Sequence, residues 1–351
     1  MTQSILFHET RRGLIAHFTA DQCIGQSLAR YGEWAEDEIA LLRDYLIEGS
    51  TALDVGANVG VHTLAFAQMV GSTGSVIAIE GQPEVSTLLA YNVVANEMSD
   101  RVQTISALAG SKPTLVPYTA KIPNENMGAL SFLKNVYEPE KLNVSGGLQL
   151  TLPLITIDSL DLPSCALIKI DVEGMEEDVL VGATKTLRLH RPAVYFEHAS
   201  NDGEQLSRMH KMLGNLGYRL FWHVANPFNS LNYRGDSYNI FGGNVEVNVL
   251  GILEHHAIPP LPEITDPRIP PPRPTLTEGL NGVEVKQHTS NSYHRDEPLH
   301  ERLFRLETTV RGDIRRLETA VLDIQHLIHN ILKPARWAWK MTRPFRKAKD
   351  K

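Results

Sequence analysis

Carboxylates stand at the ends of three short apolar runs in this sequence. Asp54, Glu80 and Asp171 each close such a run, and runs of this length are typical of buried strands. Because the carboxyl ends of parallel strands open onto one crevice, we expect the three side chains to share a ligand site. Carboxylates there can accept hydrogen bonds from ribose hydroxyls or take a proton from an attacking hydroxyl.

The first carboxylate begins a glycine-rich loop, Asp54-Val-Gly-Ala-Asn-Val-Gly60, which precedes a predicted helix over residues 61–70. Glycine lets a backbone approach a ligand closely, and a helix amino terminus offers free N–H groups. The dinucleotide pattern G-x-G-x-x-G needs a third glycine that this loop lacks. The pattern is similar instead to the loop of S-adenosylmethionine (SAM)-dependent methyltransferases, with Glu80 placed to bind the ribose. A strand–helix turn with no ligand is the alternative.

A second acidic turn, Lys169-Ile-Asp-Val-Glu-Gly174, follows the third run. Asp171 and Glu173 are candidate catalytic groups, because a carboxylate can accept the proton of a hydroxyl during methyl transfer. Glu173 could instead stabilise the amino terminus of the following helix. We assign no metal ligand, although neighbouring acids could hold a divalent cation. His198, at the end of the predicted strand 193–198, is a further candidate base or a structural residue.

Two polar segments are candidate acceptor loops. Residues 121–128 are rich in turn formers, and an irregular insertion of this kind is commonly functional; Asn126 and Gly128 are the predicted substrate contacts there. Asn226 is a third, in residues 225–233. Surface excursions without a ligand are the alternative for both segments.

Alternating strands and helices must position these groups, and they predict an α/β fold with a parallel, doubly wound sheet. Helices are predicted over residues 36–47, 83–96, 175–186 and 205–216. The third predicted strand, residues 102–108, brings Ser106 to the place where an adenine edge would lie.

The two motifs together resemble the FkbM family of SAM-dependent O-methyltransferases. The similarity covers roughly residues 33–243 and includes the trailing Val179-Leu-Val-Gly-Ala183, with residues 237–243 similar to the closing strand of the family. It implies a Rossmann-like class I methyltransferase, SAM as donor and a hydroxyl acceptor, often on a sugar or a polyketide. Carried over by position, the cofactor motif comprises Asp54, Gly56, Asn58, Gly60 and Glu80, and the second signature Asp171 and Glu173.

Composition excludes several classes of protein. A net charge of −7 argues against a nucleic-acid binder. Two cysteines, Cys23 and Cys165, cannot form a disulfide framework, so a reducing compartment is expected. We find neither a signal peptide nor a membrane-spanning run, which predicts a cytoplasmic protein.

The chain continues beyond the catalytic domain, which we place at residues 1–256. Residues 257–296 are a proline-rich linker. Residues 297–333 carry aliphatic side chains at heptad spacing, which predicts a C-terminal coiled coil that makes the protein a homo-oligomer, a trimer or a dimer. The tail 334–351 interleaves basic and aromatic residues, as is typical of segments that dock on an anionic membrane or on a partner such as a synthase.

Taken together, these features predict a SAM-dependent O-methyltransferase, for which two kinds of acceptor stay open. The tail favours a glycan, such as a bacterial surface polysaccharide or its lipid-linked precursor, methylated at the inner face of the membrane. The alternative is a soluble enzyme for polyketide or macrolide hydroxyls. A hypothesis of another class is a non-catalytic scaffold that recruits a synthase through the coiled coil.

Overall fold

The computed structural model describes residues 4–120, 131–137, 148–198 and 203–272. The amino-terminal part is a two-stranded antiparallel hairpin followed by two helices. Its elements are β1 (Ile5–Thr10), β2 (Gly13–Phe18), α1 (Ile24–Tyr31) and α2 (Glu36–Leu42), with a single 3-10 turn at Arg43–Tyr45.

Strands and helices then alternate, as the sequence predicts. The first run consists of β3 (Thr51–Val55), α3 (Val61–Val70), β4 (Ser75–Glu80), α4 (Pro83–Ala95) and β5 (Val102–Ser106). A small three-stranded sheet with its helix follows, formed by β6 (Leu108–Ala109), β7 (Thr114–Ala120), α5 (Leu133–Tyr137) and β8 (Leu148–Ile155).

The second alternating run completes the domain. After a 3-10 turn at Ile157–Leu160, it consists of β9 (Leu167–Ile170), α6 (Glu176–Val181), α7 (Thr184–His190), β10 (Ala193–Glu197), α8 (Gly203–Gly214), β11 (Arg219–Ala225) and β12 (Glu246–Ile252).

The central sheet has seven strands in the order β5-β4-β3-β9-β10-β12-β11. The first five pair in parallel, and β12 runs antiparallel between β10 and β11. Apolar residues are buried on both faces of the sheet, in two large clusters, which is why β3, β4 and β9 are almost continuously hydrophobic. The sheet is the mostly parallel, doubly wound one that the sequence predicts.

Several predicted boundaries differ from the structure. The helix predicted over 175–186 is two helices, α6 and α7, separated at Gly182 and Ala183. A Cβ on Gly182 would lie 2.0 Å from the carbonyl oxygen of Gly110, so the chain passes close to a neighbouring backbone at this break. The strand expected at 237–243 is wrong: these residues are turns and coil, and the closing strand is β12.

Residues beyond 256 continue along the domain. The N–H of Trp222 donates to the carbonyl of Pro262 (2.8 Å), and the N–H of Ile264 donates to that of Leu220 (2.7 Å). This segment, which falls within the predicted linker, covers the outer edge of β11, and covered edges resist pairing with other chains.

The predicted coiled coil (297–333) and basic tail (334–351) lie outside the described residues and remain predictions. The chain divides into two units, Met1–Gly282 and Val283–Lys351. Within the described part of the chain, no helix has both the length and the apolar character needed to cross a membrane.

Candidate active site

A cleft opens at the carboxyl ends of the central strands. Five residues that the sequence predicts as site residues line it: Gly56, Asn58, Glu80, Asp171 and Glu173. The structure therefore brings the glycine loop and the acidic turn into one cleft, although they are separated by more than a hundred residues of sequence.

Glu80 is anchored by the backbone at the end of β4. Its two carboxylate oxygens accept hydrogen bonds from the N–H groups of Asn58 (2.9 Å) and Gln82 (2.8 Å). Burial raises the pKa of Glu80 to about 7, and the two backbone hydrogen bonds oppose that rise. Because a carboxylate oxygen has further lone-pair capacity, Glu80 can accept ligand hydroxyls while it stays fixed.

Gly56 is where the loop meets the acidic turn. Its φ is +77°, and a Cβ at this position would lie 1.7 Å from the carbonyl oxygen of Asp171. The N–H of Asp171 donates in turn to the carbonyl of Val55 at 2.9 Å. Only glycine permits this approach of the two backbones.

Asn58 and Gly60 shape the rest of the loop. Asn58 has a φ of 50°, and its side-chain oxygen accepts a hydrogen bond from the N–H of Val59 at 2.7 Å, the kind of local bond that lets asparagine adopt the left-handed region. Gly60, with a φ of 95°, precedes the first turn of α3 and does not line the cleft.

Asp54 and Ser106, which the sequence predicts as cofactor contacts, do not line the cleft. Asp54 is fully buried beneath the cleft, where it accepts a hydrogen bond from the Thr63 hydroxyl (2.6 Å) and lies 3.6 Å from the Lys169 ammonium. Ser106 is exposed and is not a lining residue, whereas Ala107, the next residue, does line the cleft.

The acidic turn is held in shape by Glu176. One oxygen of the buried Glu176 carboxylate accepts the N–H groups of Gly174 (3.0 Å) and Val172 (3.3 Å). Glu173 adopts a φ of 53° in this turn. Burial, followed by the negative charges of Asp171 and Glu176, raises the pKa of Glu173 to about 7.

Three more acids from distant segments complete the cleft: Glu38 of α2, Glu197 of β10 and Glu246 of β12. Burial is the largest cause of their raised pKa values, which are about 7 for Glu38 and about 9 for both Glu197 and Glu246. Glu38 and Glu246 share a hydrogen bond, so one of them carries a proton.

Glu197 also belongs to a tight group of ligand atoms. Carboxylate oxygens of Asp171, Glu173 and Glu197 lie within 4.8 Å of one another, a grouping that could hold a cation. The sequence singles out Asp171 and Glu173 as catalytic candidates, and Glu197 lies beside them because β10 pairs with β9 in the sheet.

The histidine lining this cleft is His62, which no sequence pattern singles out. It lies on the first turn of α3 with Nε2 3.2 Å from a carboxylate oxygen of Glu38. Burial, aided by the Lys169 charge, lowers the pKa of His62 to about 4, so this imidazole is neutral at neutral pH. His198, the predicted base, is buried against the ring of Trp222 and is not among the lining residues.

Of the three predicted acceptor contacts, only Asn226 lies in the described part of the chain. Asn126 and Gly128 lie outside the described residues. Asn226 is exposed and does not line the cleft, and its N–H donates to Asp37 at 3.0 Å. Aromatic and amide groups border the acids instead: Trp34, Phe132 and Asn248.

Sheet order, glycine loop and strand-end cleft together define a Rossmann-like methyltransferase fold. Residues 54–220 match the family model described as the methyltransferase FkbM domain. The match confirms, over this range, the resemblance to the FkbM family that the sequence predicts.

Among curated proteins, the chain is similar to a protein-L-isoaspartate O-methyltransferase of Triticum aestivum (46% identity over 55 residues; 16% of this chain and 24% of that protein). A protein of the same description from Caenorhabditis elegans is 40% identical over 52 residues (15% of this chain and 23% of that protein). The chain thus spans about a quarter of the length of the curated relatives it matches.

Among solved structures, the chain is similar to a methyltransferase FkbM of Methylobacillus flagellatus. The TM-score is 0.39 and the identity 16%, with 59% of this chain and 47% of that chain covered.

Proposed function

We propose that the protein is a SAM-dependent O-methyltransferase that acts on a glycan hydroxyl. One observation carries the proposal: the backbone-anchored Glu80 and the acidic turn at Asp171 and Glu173 line the same cleft. A site for a nucleoside cofactor then adjoins groups able to take a proton from an acceptor.

The residues present fit SAM. Glu80 can accept both ribose hydroxyls, and Gly56 leaves the space that a Cβ would fill. Ala107, Leu108 and Ala109 offer an apolar border for the adenine. SAM, when bound, supplies an electrophilic methyl group on a positively charged sulfur, and that charge suits a cleft lined by carboxylates.

Glu173 is the residue we assign as general base. Its pKa of about 7 leaves it partly ionised at neutral pH and basic enough to accept a proton. With SAM bound, Glu173 would accept the O–H proton of the acceptor as the acceptor oxygen bonds to the methyl carbon. The carbon–sulfur bond would break at the same time, and its electron pair would leave with the sulfur of S-adenosylhomocysteine. Asp171, whose side chain is 41% exposed, can orient the same hydroxyl from the preceding strand end.

The lining of the cleft favours a neutral, hydroxyl-rich acceptor. Carboxylates, the Asn248 amide and the Trp34 ring are the partners that sugar hydroxyls and ring faces use. Among the described lining residues none is a lysine or an arginine, so a carboxylate acceptor would meet a repulsive field. This argues for a hydroxyl acceptor over the aspartyl carboxylate implied by the name of the curated relatives.

The segments beyond residue 282 extend the proposal. A coiled coil over residues 297–333 would make a homo-oligomer, and several basic tails would then bind an anionic membrane more strongly than one. This arrangement suits an acceptor held at a membrane. Sedimentation of the full chain, alone and with anionic vesicles, tests both parts.

Calorimetric titration with SAM and with S-adenosylhomocysteine tests the cofactor. We expect micromolar binding to the wild-type protein and a loss of about 10- to 100-fold in Glu80→Gln, since hydrogen bonds to a charged group are lost. Glu97→Gln, a matched change of an exposed carboxylate, should bind as the wild type does.

Transfer of tritium from methyl-labelled SAM to a panel of methyl glycosides, macrolide aglycones and isoaspartyl peptides tests the acceptor. Labelling of glycosides supports the proposal. Labelling of the other classes alone would contradict it, and an absence of SAM binding by folded wild-type protein would favour the scaffold hypothesis.

A further inference from the structure

The chain between β11 and β12 begins and ends beside the cleft. Because β12 runs antiparallel to both β10 and β11, β11 ends at the same edge of the sheet as β10. That edge holds the carboxyl ends of the parallel strands, where the cleft opens. Residues 226–245, which we call the β11–β12 connection, therefore start and finish at this edge, and the next residue, Glu246, lines the cleft.

The β11–β12 connection is fixed against the wall of the cleft. The Tyr31 hydroxyl donates to the carbonyl of Tyr238 (2.7 Å) and accepts the N–H of Ile240 (2.8 Å). The Phe241 ring packs on the indole of Trp34, with ring centroids 5.6 Å apart, and Trp34 lines the cleft. The connection thus extends the part of the cleft wall that Trp34 forms.

Large side chains of this connection are exposed to water. The exposed fractions are 80% for Leu231, 49% for Tyr233 and 64% for Tyr238. Single exposed apolar side chains are ordinary, but three so close in sequence, two of them tyrosines, are typical of a surface that binds a ligand.

The two tyrosine rings lie against arginines. The guanidinium carbon of Arg30 is 4.7 Å from the centroid of the Tyr238 ring, and Arg30 pairs with Asp236 at 2.8 Å. Arg11 lies over Tyr233 in the same way, at 6.0 Å. A cation over a ring holds the ring in place, and a ring that is already fixed loses little conformational entropy when a ligand binds. Since the charge of Arg30 is paired, Tyr238 offers a ligand its ring and its hydroxyl.

Resting on the proposed function, we propose that the β11–β12 connection is a second acceptor subsite, where Tyr238 stacks on a sugar ring that adjoins the methylated one. The C–H face of a sugar packs on an aromatic ring, and sugar hydroxyls find partners in the phenol hydroxyl and the Asp236 carboxylate. The acceptor is then an oligosaccharide or a polymer rather than a single sugar.

A subsite outside the cleft acts through binding. Contacts with a ring that takes no part in the reaction are the same in the ground state and the transition state, so they lower KM and leave kcat nearly unchanged. Because the rings of one acceptor chain are linked, binding at one subsite raises the effective concentration at the other. Acceptors of several residues should therefore be methylated more efficiently than single sugars.

The test measures kcat and KM of the full-length protein with methyl-labelled SAM and the methyl glycosides of gluco-, manno- and galacto-oligosaccharides of one to four residues. For the series that the wild type labels, kcat/KM should be about three- to tenfold higher for the trisaccharide than for the monosaccharide. Most of this difference should lie in KM.

Tyr238→Ala should remove this preference for length. Its ratio of kcat/KM for the trisaccharide to kcat/KM for the monosaccharide should fall about three- to tenfold below that of the wild type. Tyr238→Phe retains the ring and should retain most of the preference. Thermal unfolding of each variant checks the fold, which should survive both changes because the Tyr238 side chain is mostly exposed.

Leu189→Ala is the matched control. Leu189 is 63% exposed, and its helix α7 ends just before the amino end of β10, at the edge of the sheet opposite the cleft. This variant should show the wild-type preference for length.

Equal kcat/KM for short and long acceptors in the wild type would overturn the inference and leave the proposed function intact, and this comparison needs no variant. A preference that Tyr238→Ala keeps, or a loss in Tyr238→Ala that is equal for all lengths, would also overturn it. Wild-type protein that labels no saccharide of any length would overturn the proposed function itself.

Discussion

The two sides of the cleft hold their carboxylates in different ways. On the side that we propose for the cofactor, Glu80 is fixed by two backbone N–H groups from residues within twenty-two positions of it. On the side that we propose for the acceptor, Glu38 and Glu246 share a hydrogen bond, and the Asn248 amide donates to Glu38 at 3.2 Å. Residues 38 and 248 are 210 positions apart.

This difference separates a local site from an assembled one. The cofactor side is formed by one strand–loop–helix unit and its neighbouring strand, so a short motif is enough to specify it. The acceptor side exists only when α2, β10 and β12 have packed together. A protein can therefore change its acceptor by altering distant segments while the cofactor loop stays the same.

The close approach of Gly56 to the backbone of Asp171 gives the largest expected effect on stability. Gly56→Ala should destabilise the fold by more than about 3 kcal/mol, because the new Cβ adds overlap with the Asp171 carbonyl to an unfavourable φ. Gly49→Ala is the matched control: its φ is +83°, but the nearest atom that its Cβ would meet is the Thr73 hydroxyl oxygen at 3.5 Å. It should lose only about 1–2 kcal/mol. If urea unfolding gave the same loss of free energy for Gly56→Ala and Gly49→Ala, the close approach of Gly56 to Asp171 would not contribute to stability.

Loss of the Asp54 charge should lower the stability of the fold and leave the affinity for the cofactor nearly unchanged. Asp54→Asn breaks a buried ion pair beneath the cleft, so we expect a loss of about 2–4 kcal/mol in unfolding free energy. Its affinity for S-adenosylhomocysteine should change less than about threefold, because Asp54 does not line the cleft and the variant loses no hydrogen bond to the ligand. Weakened binding with unchanged stability would instead make Asp54 the direct cofactor contact that the sequence predicts.

The smallest expected effect is on the pH dependence of stability. The pKa of Glu246 is raised to about 9 in the fold from an ordinary value of 4.5, so the folded chain retains a proton that the unfolded chain releases. Stability should therefore fall as pH rises between these values. Glu246→Gln removes this dependence and keeps a donor for Glu38, which should raise the melting temperature at pH 8.5 by roughly 2–6 °C.

Glu254→Gln is the control for Glu246→Gln, because Glu254 is exposed. It should leave the melting curve at each pH unchanged. A Glu246→Gln protein that melts in parallel with the wild type from pH 5.5 to 8.5 would show that Glu246 is not protonated in the fold.

Sequence patterns predict the parts of this molecule whose interactions are local. Strands β3, β4 and β9 and the turns after them are read from apolar runs that end in an acid or a glycine. The helix predicted over 36–47 ends earlier, at Leu42, and a 3-10 turn follows it. The apolar periodicity continues through that turn, so the sequence pattern does not indicate the end of the helix.

The site residues that sequence patterns do not predict owe their place to long-range pairing. Glu246 and Asn248 reach the cleft because β12 pairs with β10, whereas the sequence predicts the closing strand at residues 237–243. Glu38 and His62 lie on helices with buried faces, where a polar residue gives no sign of what it will contact. Their signal is an acid or a histidine at an otherwise buried helical position, which is visible only once the partner strand is known.

The position of β12 also affects how the domain folds during synthesis. It is the last strand of the central sheet along the chain, yet it lies inside the sheet between β10 and β11. A ribosome adds the 55 residues from position 197 to position 252 in roughly 3–11 s, during which β10 has an unpaired edge. Nascent chains in that interval expose the edge of a strand that is interior in the finished sheet, so ribosome-associated chaperones should have their greatest effect on yield there.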